Sequence, residues 1–240
     1  MPILQVEDLT IEVVRKNIRS LRLTVYAPDG RIRVAAPTRL STASITQFVL
    51  DRQAWIRRHQ AKFAARPQPA ALRYESGEKH LYQGRSYELQ VHSTAGRPRV
   101  ELCEAEQRLG LYVPAESTAG QRQQVLATWY RAQLKDQLPA LVAKWEPIVG
   151  AQAKTWAIKQ MKTRWGTCNI QAKRIWLNLE LIKQPLPCLE YVVVHELVHL
   201  HERLHNARFW GFMDQFMPDW RQHKAALNQV MLVPAGGDGC

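Results

Sequence analysis

Two histidines four residues apart, His195 and His199, are the side chains whose types and spacing indicate the clearest chemistry in this chain. On an α-helix, residues at this spacing lie on one face, about one turn apart. Both imidazoles could therefore reach a single small cation, and Glu196 would project beside its open coordination position. This HExxH pattern is typical of zinc hydrolases, in which the glutamate is the general base. We predict that His195 and His199 bind zinc and that Glu196 is catalytic.

The third ligand is less strictly fixed by spacing. A catalytic zinc ion usually has three protein ligands and leaves its fourth position to water. His205 is the favoured third ligand, for one zinc ion per chain, while Glu202 is the rival because it returns to the ligand face of a continuous helix. Metzincins share the spacing to the third histidine but have glycine where this chain has Glu202, so a left-handed turn is not expected there. The chain should instead turn near Leu204.

A second cluster, from Lys162 to Cys168, combines basic, aromatic and small side chains just before a predicted hairpin. Glycine in a strand often marks a close backbone approach, and an edge strand beside the metal could pair with an extended peptide. The candidate substrate-binding residues are Arg164, Trp165, Gly166 and Thr167. The alternative is a structural corner with Trp165 in the core and Cys168 as a buried, inert thiol.

The composition is that of an ordinary globular protein, with 46% hydrophobic and 22% charged residues. A membrane-spanning helix is not expected, because no run of about 18 apolar residues exists. The first eight residues lack the basic start and apolar stretch of a secretory signal. The 4 cysteines form no CxxC pair, which predicts reduced thiols in a cytoplasmic protein.

The net charge of +12 is unevenly distributed. Residues 1–100 contain 17 Lys and Arg against 8 Asp and Glu, whereas residues 101–240 contain 16 against 13. The basic excess therefore lies in the part without the histidine motif, where it could attract nucleic acid. A solvated basic surface is the favoured alternative, because no nucleic-acid-binding motif accompanies the charge.

Hydrophobic patterning predicts an α+β protein with a β-rich region at residues 1–115, a mainly helical domain at 120–233 and a flexible tail at 234–240. The first region should contain one helix, capped by Ser41 and ending near Phe63. A Pro-containing stretch at 66–70 predicts a break, and residues 27–30 predict a hairpin turn. Predicted strands cover residues 11–14, 21–26, 31–35, 79–83, 86–92, 99–104 and 108–113.

The second region should position the motif. Residues 121–144 have helical periodicity, and Pro139 should kink or split that helix. A short hairpin is predicted from strands at 161–167 and 174–179. The motif helix should run from about 187 to 203, and two more helices should follow at 207–216 and 220–231.

The ordered motifs of the second region resemble those of the YgjP-like family of predicted metal-dependent hydrolases, which is related to the SprT-like zinc proteases. The resemblance rests on Met161–Cys168, Leu177-Asn178, Tyr191–Leu200, His205-Asn206, Phe209-Trp210 and Pro218–Trp220. It implies a zincin-like fold, zinc ligands at His195, His199 and His205, and a catalytic Glu196. It therefore favours His205 over Glu202. Thr167 stands where the family usually has serine.

Three functions are compatible with the sequence. The favoured one is a zinc metallopeptidase acting on a peptide or protein. The second, a nucleoside-triphosphate pyrophosphatase, has also been assigned to a family member and could use Lys162, Arg164 and Arg174 to hold a triphosphate. Against it, the chain has no GxxxxGK[ST] loop, and histidine ligation suits zinc better than magnesium. The third is a DNA-associated protease or binding module recruited by the basic first region. The sequence does not predict an oligomeric state.

Overall fold

The computed structural model describes residues 2–26, 29–64 and 72–230, which have an α+β fold. Contacts divide this part of the chain into two compact units, one formed by the described residues up to 64 and the other by residues 72–230. The predicted turn residues Ala27 and Pro28, the break at 66–70 and the tail at 234–240 lie outside the described residues. No described helix has the length and apolar character needed to cross a membrane.

The first unit begins with a four-stranded sheet, in the order β1-β2-β4-β3. Its strands are β1 (Ile3–Val6), β2 (Leu9–Lys16), β3 (Arg22–Tyr26) and β4 (Arg31–Pro37). Strands β2 and β4 are parallel, and the two outer pairs are antiparallel. Every second residue at the centre of β2 and β4 is buried, because successive side chains in a strand point to opposite faces. One face of the sheet thus forms half of a core.

Two helices, α1 (Thr42–Leu50) and α2 (Gln53–Ala64), supply the other half. Ser41 caps α1 as predicted, its side chain accepting the backbone N–H of Ser44. The prediction of a single helix up to Phe63 was wrong, since the chain turns after Leu50 before α2 begins. This break lets both helices direct apolar residues into one core. The buried helical residues are Ile45, Val49, Ile56 and Phe63.

The second unit opens with another four-stranded sheet, in the order β5-β6-β8-β7. Its strands are β5 (Lys79–Tyr82), β6 (Arg85–Ser93), β7 (Arg99–Cys103) and β8 (Arg108–Val113), which confirms the predicted strands to within two residues. As in the first sheet, the two central strands are parallel and the outer pairs antiparallel.

The two sheets are copies of one structural pattern. Strand order and strand directions are the same in both sheets. In each sheet, a residue with left-handed backbone conformation directly precedes the last strand in the sequence. That strand is followed in each case by a helix, and a proline lies four residues before the N-cap of this helix. The equivalent pairs are Gly30 and Gln107, Pro37 and Pro114, and Ser41 and Thr118. The sequence alone showed no such repeat.

Helix α3 (Ala119–Val149) packs against the second sheet and spans both Pro139 and Pro147. Of the two predicted effects of Pro139, a kink or a split, the split was wrong, since one helix runs through this residue. A proline removes one helical hydrogen bond, but the apolar stripe of this long helix is buried on both sides of Pro139, and such packing supplies most helix stability. The buried residues are Leu126, Tyr130, Leu134, Leu138, Leu141, Trp145 and Val149.

A third, three-stranded sheet follows, formed by β9 (Thr155–Lys159), β10 (Gly166–Asn169) and β11 (Arg174–Asn178) in the order β10-β11-β9. The antiparallel pair β10–β11 confirms the predicted hairpin. The parallel partner β9 was not predicted, and the first hairpin strand begins at Gly166 rather than at 161. A 3-10 helix (Leu179–Lys183) leads to α4 (Leu186–Val198), α5 (Ala207–Phe216) and α6 (Trp220–Gln229).

The second sheet belongs to the same compact unit as the HExxH helix, whereas hydrophobic patterning predicted a domain boundary between 115 and 120. Backbone hydrogen bonds account for this difference. In the β5–β6 turn, Gln83 N–H donates to Ile182 O at 2.9 Å and Gly84 N–H donates to Lys183 O at 3.0 Å. These bonds join the sheet to the segment that leads into α4.

Candidate metal centre

Helix α4 carries the HExxH residues and is shorter than predicted. It ends at Val198 with His199 as its C-cap, so the expected extension to about residue 203 was wrong. A tight turn follows, in which the N–H groups of His201 and Glu202 both donate to Val198 O. Because the helix ends early, the following loop can return towards the helix and bring His205 to the histidine pair.

Three histidines converge at this point. The Nε2 atom of His205 lies 3.0 Å from Nε2 of His195 and 3.1 Å from Nε2 of His199. A metal bound by histidine nitrogens at about 2.0–2.1 Å in tetrahedral geometry would separate them by about 3.3 Å. The observed separations are close to that value. Among the described residues, these three alone form a cluster able to hold a metal ion.

The charge states of the imidazoles also suit a cation. Burial lowers the pKa of His195 well below its ordinary value, and the neighbouring His199, His205 and Lys224 lower it further. Burial likewise lowers the pKa of His199. Neutral imidazoles offer the nitrogen lone pair that a metal requires. His195 and His199 therefore suit a metal ion in the neutral form that burial favours.

Hydrogen bonds orient two of the three histidines. The Nδ1–H of His199 donates to the backbone carbonyl of Glu202 at 3.1 Å, which leaves Nε2 directed at the other histidines and available to a metal ion. The hydroxyl of Tyr191 lies 3.5 Å from Nδ1 of His195. The rival ligand Glu202 lies outside the histidine cluster. Its side chain accepts the N–H of Leu204 at 3.1 Å, so it stabilises the turn between the ligands.

The third histidine lies at one end of a stack of aromatic rings. His205 stacks on Trp210 with ring centroids 5.5 Å apart, and Trp210 stacks on Trp220 at 4.6 Å. Trp220 in turn stacks on Tyr191, whose hydroxyl faces His195. Trp210 also donates its Nε1–H to the carbonyl of His205 at 3.1 Å. This row of rings connects His205, in the loop after α4, with His195 on α4.

Glu196 is a buried carboxylate beside the histidines, with 1% of its surface exposed. Burial raises its pKa from 4.5 to about 8, while the charge of Arg164 lowers it. Its Oε2 atom has no hydrogen-bond partner within the described parts of the chain. A buried polar atom without a partner is costly. This orphaned oxygen is expected if a water molecule and a cation belong beside it.

Gly166, at the start of β10, packs directly on Glu196. A Cβ atom at this position would lie 2.5 Å from Oε1 of Glu196, closer than real contacts allow. The close backbone approach predicted for this glycine is therefore confirmed. The absence of a side chain lets β10 lie against the carboxylate.

The other candidate substrate residues are divided between surface and core. Arg164, which precedes β10, is exposed, and Thr167, which lies on β10, is partly exposed. Trp165 is only 6% exposed, as the structural-corner interpretation predicts. Cys168 is half-buried, and burial raises its pKa to about 12, which favours the interpretation as an inert thiol.

Asn178 is a positioning residue that the sequence analysis did not identify. It is fully buried, and its Nδ2 group donates to Met161 O at 2.8 Å and to Arg164 O at 2.7 Å. Its Oδ1 atom accepts the N–H of Met161 at 3.2 Å. These bonds keep 161–164 out of the sheet, which explains why β10 begins late. A single polar residue between the apolar Leu177 and Leu179 was the available signal.

An HExxH helix and three histidines that could hold a metal ion define the candidate metal centre, and sequence comparison names the family. A model of the YgjP-like metallopeptidase domain matches residues 19–230. The chain belongs to the YgjP-like family, which confirms the resemblance and supports a metal-dependent peptidase at the level of the family. A search of curated proteins found no match.

Among solved structures, the chain is similar to the crystal structure of the metallopeptidase zymogen of Pyrococcus abyssi abylysin. The identity is 19% and the TM-score is 0.36, over 38% of this chain and 91% of that chain.

Proposed function

We propose that this chain is a zinc-dependent peptidase whose second unit is a zincin-like catalytic domain. His195, His199 and His205 would hold one zinc ion through their Nε2 atoms, and Glu196 would be the general base. The observation that carries this proposal is the convergence of three imidazole nitrogens, next in the sequence to a buried carboxylate whose Oε2 atom lacks a partner. Family membership supports the same activity.

The chemistry of the side chains follows from their positions. Bound zinc supplies Lewis acidity for a peptide carbonyl and lowers the pKa of its water to about 7. Glu196 would accept the proton of the attacking water at Oε2 and later deliver it to the leaving nitrogen. A pKa raised to about 8 by burial suits both transfers near neutral pH. Arg164 favours the charged form that accepts the proton.

The third sheet supports a peptide as the substrate. Strand β10 lies at the edge of that sheet and contacts Glu196 through Gly166. An edge strand offers unpaired backbone N–H and C=O groups, to which an extended peptide can add as a further strand. The scissile bond would then lie near the carboxylate and the histidines.

The proposal is tested with protein purified without an affinity metal. We expect elemental analysis to find about one zinc ion per chain. Cleavage of unfolded protein should stop on chelation and return with zinc. Glu196→Gln should retain zinc and lose cleavage by at least 10²-fold, the lower range for a general base.

Glu190→Gln is the matched control, because Glu190 lies on the same helix but pairs with Lys144 at 2.9 Å. It should cleave normally. Undiminished cleavage by Glu196→Gln would contradict the proposed mechanism. Zinc-dependent release of pyrophosphate from nucleoside triphosphates, without peptide cleavage, would indicate the nucleotide hydrolase instead.

A further inference from the structure

The active-site sheet lies in a stretch of sequence that contains only positive charges. Between Glu146 and Glu180 the chain has no aspartate or glutamate. Over the same interval it has six cationic residues: Lys154, Lys159, Lys162, Arg164, Lys173 and Arg174. All six are exposed. We call this set the basic sheet surface.

The nearest acidic residues do not neutralise the basic sheet surface. Glu146 accepts hydrogen bonds from Ala153 N–H at 3.0 Å and Trp156 Nε1–H at 3.3 Å. Glu180 pairs with Lys183 at 2.7 Å. No ion pair within 4 Å involves any of the six cations in the part of the chain that the structure describes.

The cations are placed at both ends of the edge strand that contacts Glu196. Lys162 and Arg164 lie in the segment just before β10. At the other end, Asn169 of β10 is paired with Arg174 of β11. Strand β10 has only four residues, so Lys162 and Arg164 lie near one of its ends, and Arg174, on the neighbouring strand β11, lies beside the other.

The outer face of the sheet continues this pattern. Trp176 is opposite Thr167, and its ring has Lys159 at 5.9 Å and Arg174 at 5.6 Å from its centroid. Like charges closer than the Debye length, about 10 Å at 0.1 M salt, repel one another. A surface patch of one sign raises the local concentration of an oppositely charged partner. The sheet that contacts Glu196 therefore favours an anionic chain.

We propose that the site prefers peptide segments with aspartate or glutamate on both sides of the cleaved bond. This inference rests on the proposed peptidase function. The edge of β10 favours a peptide over nucleic acid, because it offers backbone hydrogen bonds in register with a strand. Single-stranded nucleic acid is usually held by successive stacking rings, whereas this face presents the single ring of Trp176, already flanked by cations.

The test compares peptides that share one scissile segment and differ only in their flanks, which are glutamate, glutamine or lysine. We expect kcat/KM to be at least about tenfold higher with glutamate than with lysine flanks, since several exposed charge pairs add small contributions. The ratio should fall towards one as salt is raised to 1 M, where the Debye length is about 3 Å.

Charge reversal identifies the residues responsible. Lys162→Glu combined with Arg174→Glu should reduce or invert the ratio. The control is Lys135→Glu combined with Arg97→Glu, because both are exposed cations outside the basic sheet surface. This control gives the same change in net charge. The control should keep the wild-type ratio.

The outcomes separate this inference from the proposed function. Cleavage of all peptides at equal rates would overturn the inference and leave the peptidase intact. Cleavage of none would overturn the proposed function, and binding of the glutamate peptide by Glu196→Gln protein would then decide the inference. Equal binding of glutamate and lysine peptides would refute it. A single-stranded oligonucleotide of equal charge that binds more tightly than the glutamate peptide would also overturn it.

Discussion

At the scale of single residues, Glu196 is the position where folding and the proposed role as general base make opposite demands. A general base must be ionised, but a carboxylate with 1% exposure and an unpartnered oxygen is stable mainly when protonated. Burial therefore raises the pKa of Glu196 to about 8. The metal-free protein should therefore be stabilised by removing the ionisable group.

We predict that Glu196→Gln increases the stability of the metal-free protein, and more so at high pH. The pKa of Glu196 is raised from 4.5 to about 8 in the folded protein. The protonated group therefore contributes fully to folding stability below pH 4.5, and this contribution is lost as the pH rises through 8. Each pKa unit corresponds to about 1.4 kcal/mol, so the gain at pH 9 should be a few kcal/mol. Urea unfolding at pH 5 and pH 9 measures it. An equal gain at both pH values would count against the buried charge.

Gly166 gives a second residue-scale prediction. Gly166→Ala should displace Glu196, because the new Cβ atom would lie 2.5 Å from Oε1. We expect about a 10²-fold loss of kcat, comparable to loss of the general base, with metal content retained. Gly211→Ala is the control, since Gly211 lies in α5 with nothing within 4 Å of its added Cβ, and alanine favours helix. Normal activity of Gly166→Ala would disprove the positioning role.

The histidines and Gly166 show what residue patterns can predict. His195 and His199 follow from helical spacing alone, because both lie on one element. His205 depends on where α4 ends, and spacing left Glu202 as a rival. The contact between Gly166 and Glu196 joins two elements thirty positions apart in the sequence, so the glycine could be recognised as a close approach but not assigned a partner.

At the scale of elements, the candidate metal centre depends on helices that contribute none of its three histidines. Trp210 from α5 and Trp220 from α6 form the stack that ends on His205, and Trp220 is held by Asp214 at 2.8 Å. A ligand held by packing loses less freedom when the metal binds. Substitution within the stack should therefore weaken the metal site without removing a ligand.

We predict that Trp220→Leu lowers zinc affinity about tenfold, the lower range for residues that support metal ligands. The control is Trp145→Leu, because Trp145 has 7% exposure against 6% for Trp220 but lies on α3. Both variants should lose folding stability, since each leaves a cavity. Competition with a zinc chelator measures affinity separately. Equal affinities in the two variants would rule out a role for the stack.

The errors at this scale share a physical cause. Local patterns predicted the β10–β11 hairpin and the strands of the first two sheets other than β1, and each of these predicted strands has an antiparallel partner next to it in the sequence. Strand β9 pairs in parallel with β11, and a parallel partner leaves no turn signal between the strands. The helix through Pro139 likewise depends on burial against the second sheet and α4, which a local propensity cannot express.

At the scale of the whole molecule, each unit has its own apolar core beneath a sheet of the same design. The first core is formed within the first unit, by residues between Val6 and Phe63. The repeat was invisible in the sequence because, apart from Pro37 and Pro114, the shared features are conformational. A left-handed residue is Gly30 in one copy and Gln107 in the other, and the N-caps are Ser41 and Thr118.

Separate cores lead to the last prediction, that zinc stabilises only the second unit. A ligand at 100 times its Kd stabilises the structure that binds it by about 2.7 kcal/mol. Amides of α4 that exchange through unfolding of the second unit should therefore exchange about a hundredfold more slowly with zinc. Amides of β2 and β4 in the first unit should be unaffected, and His205→Ala should weaken the effect on α4. Equal slowing in both units, measured by hydrogen exchange, would show that they unfold as one.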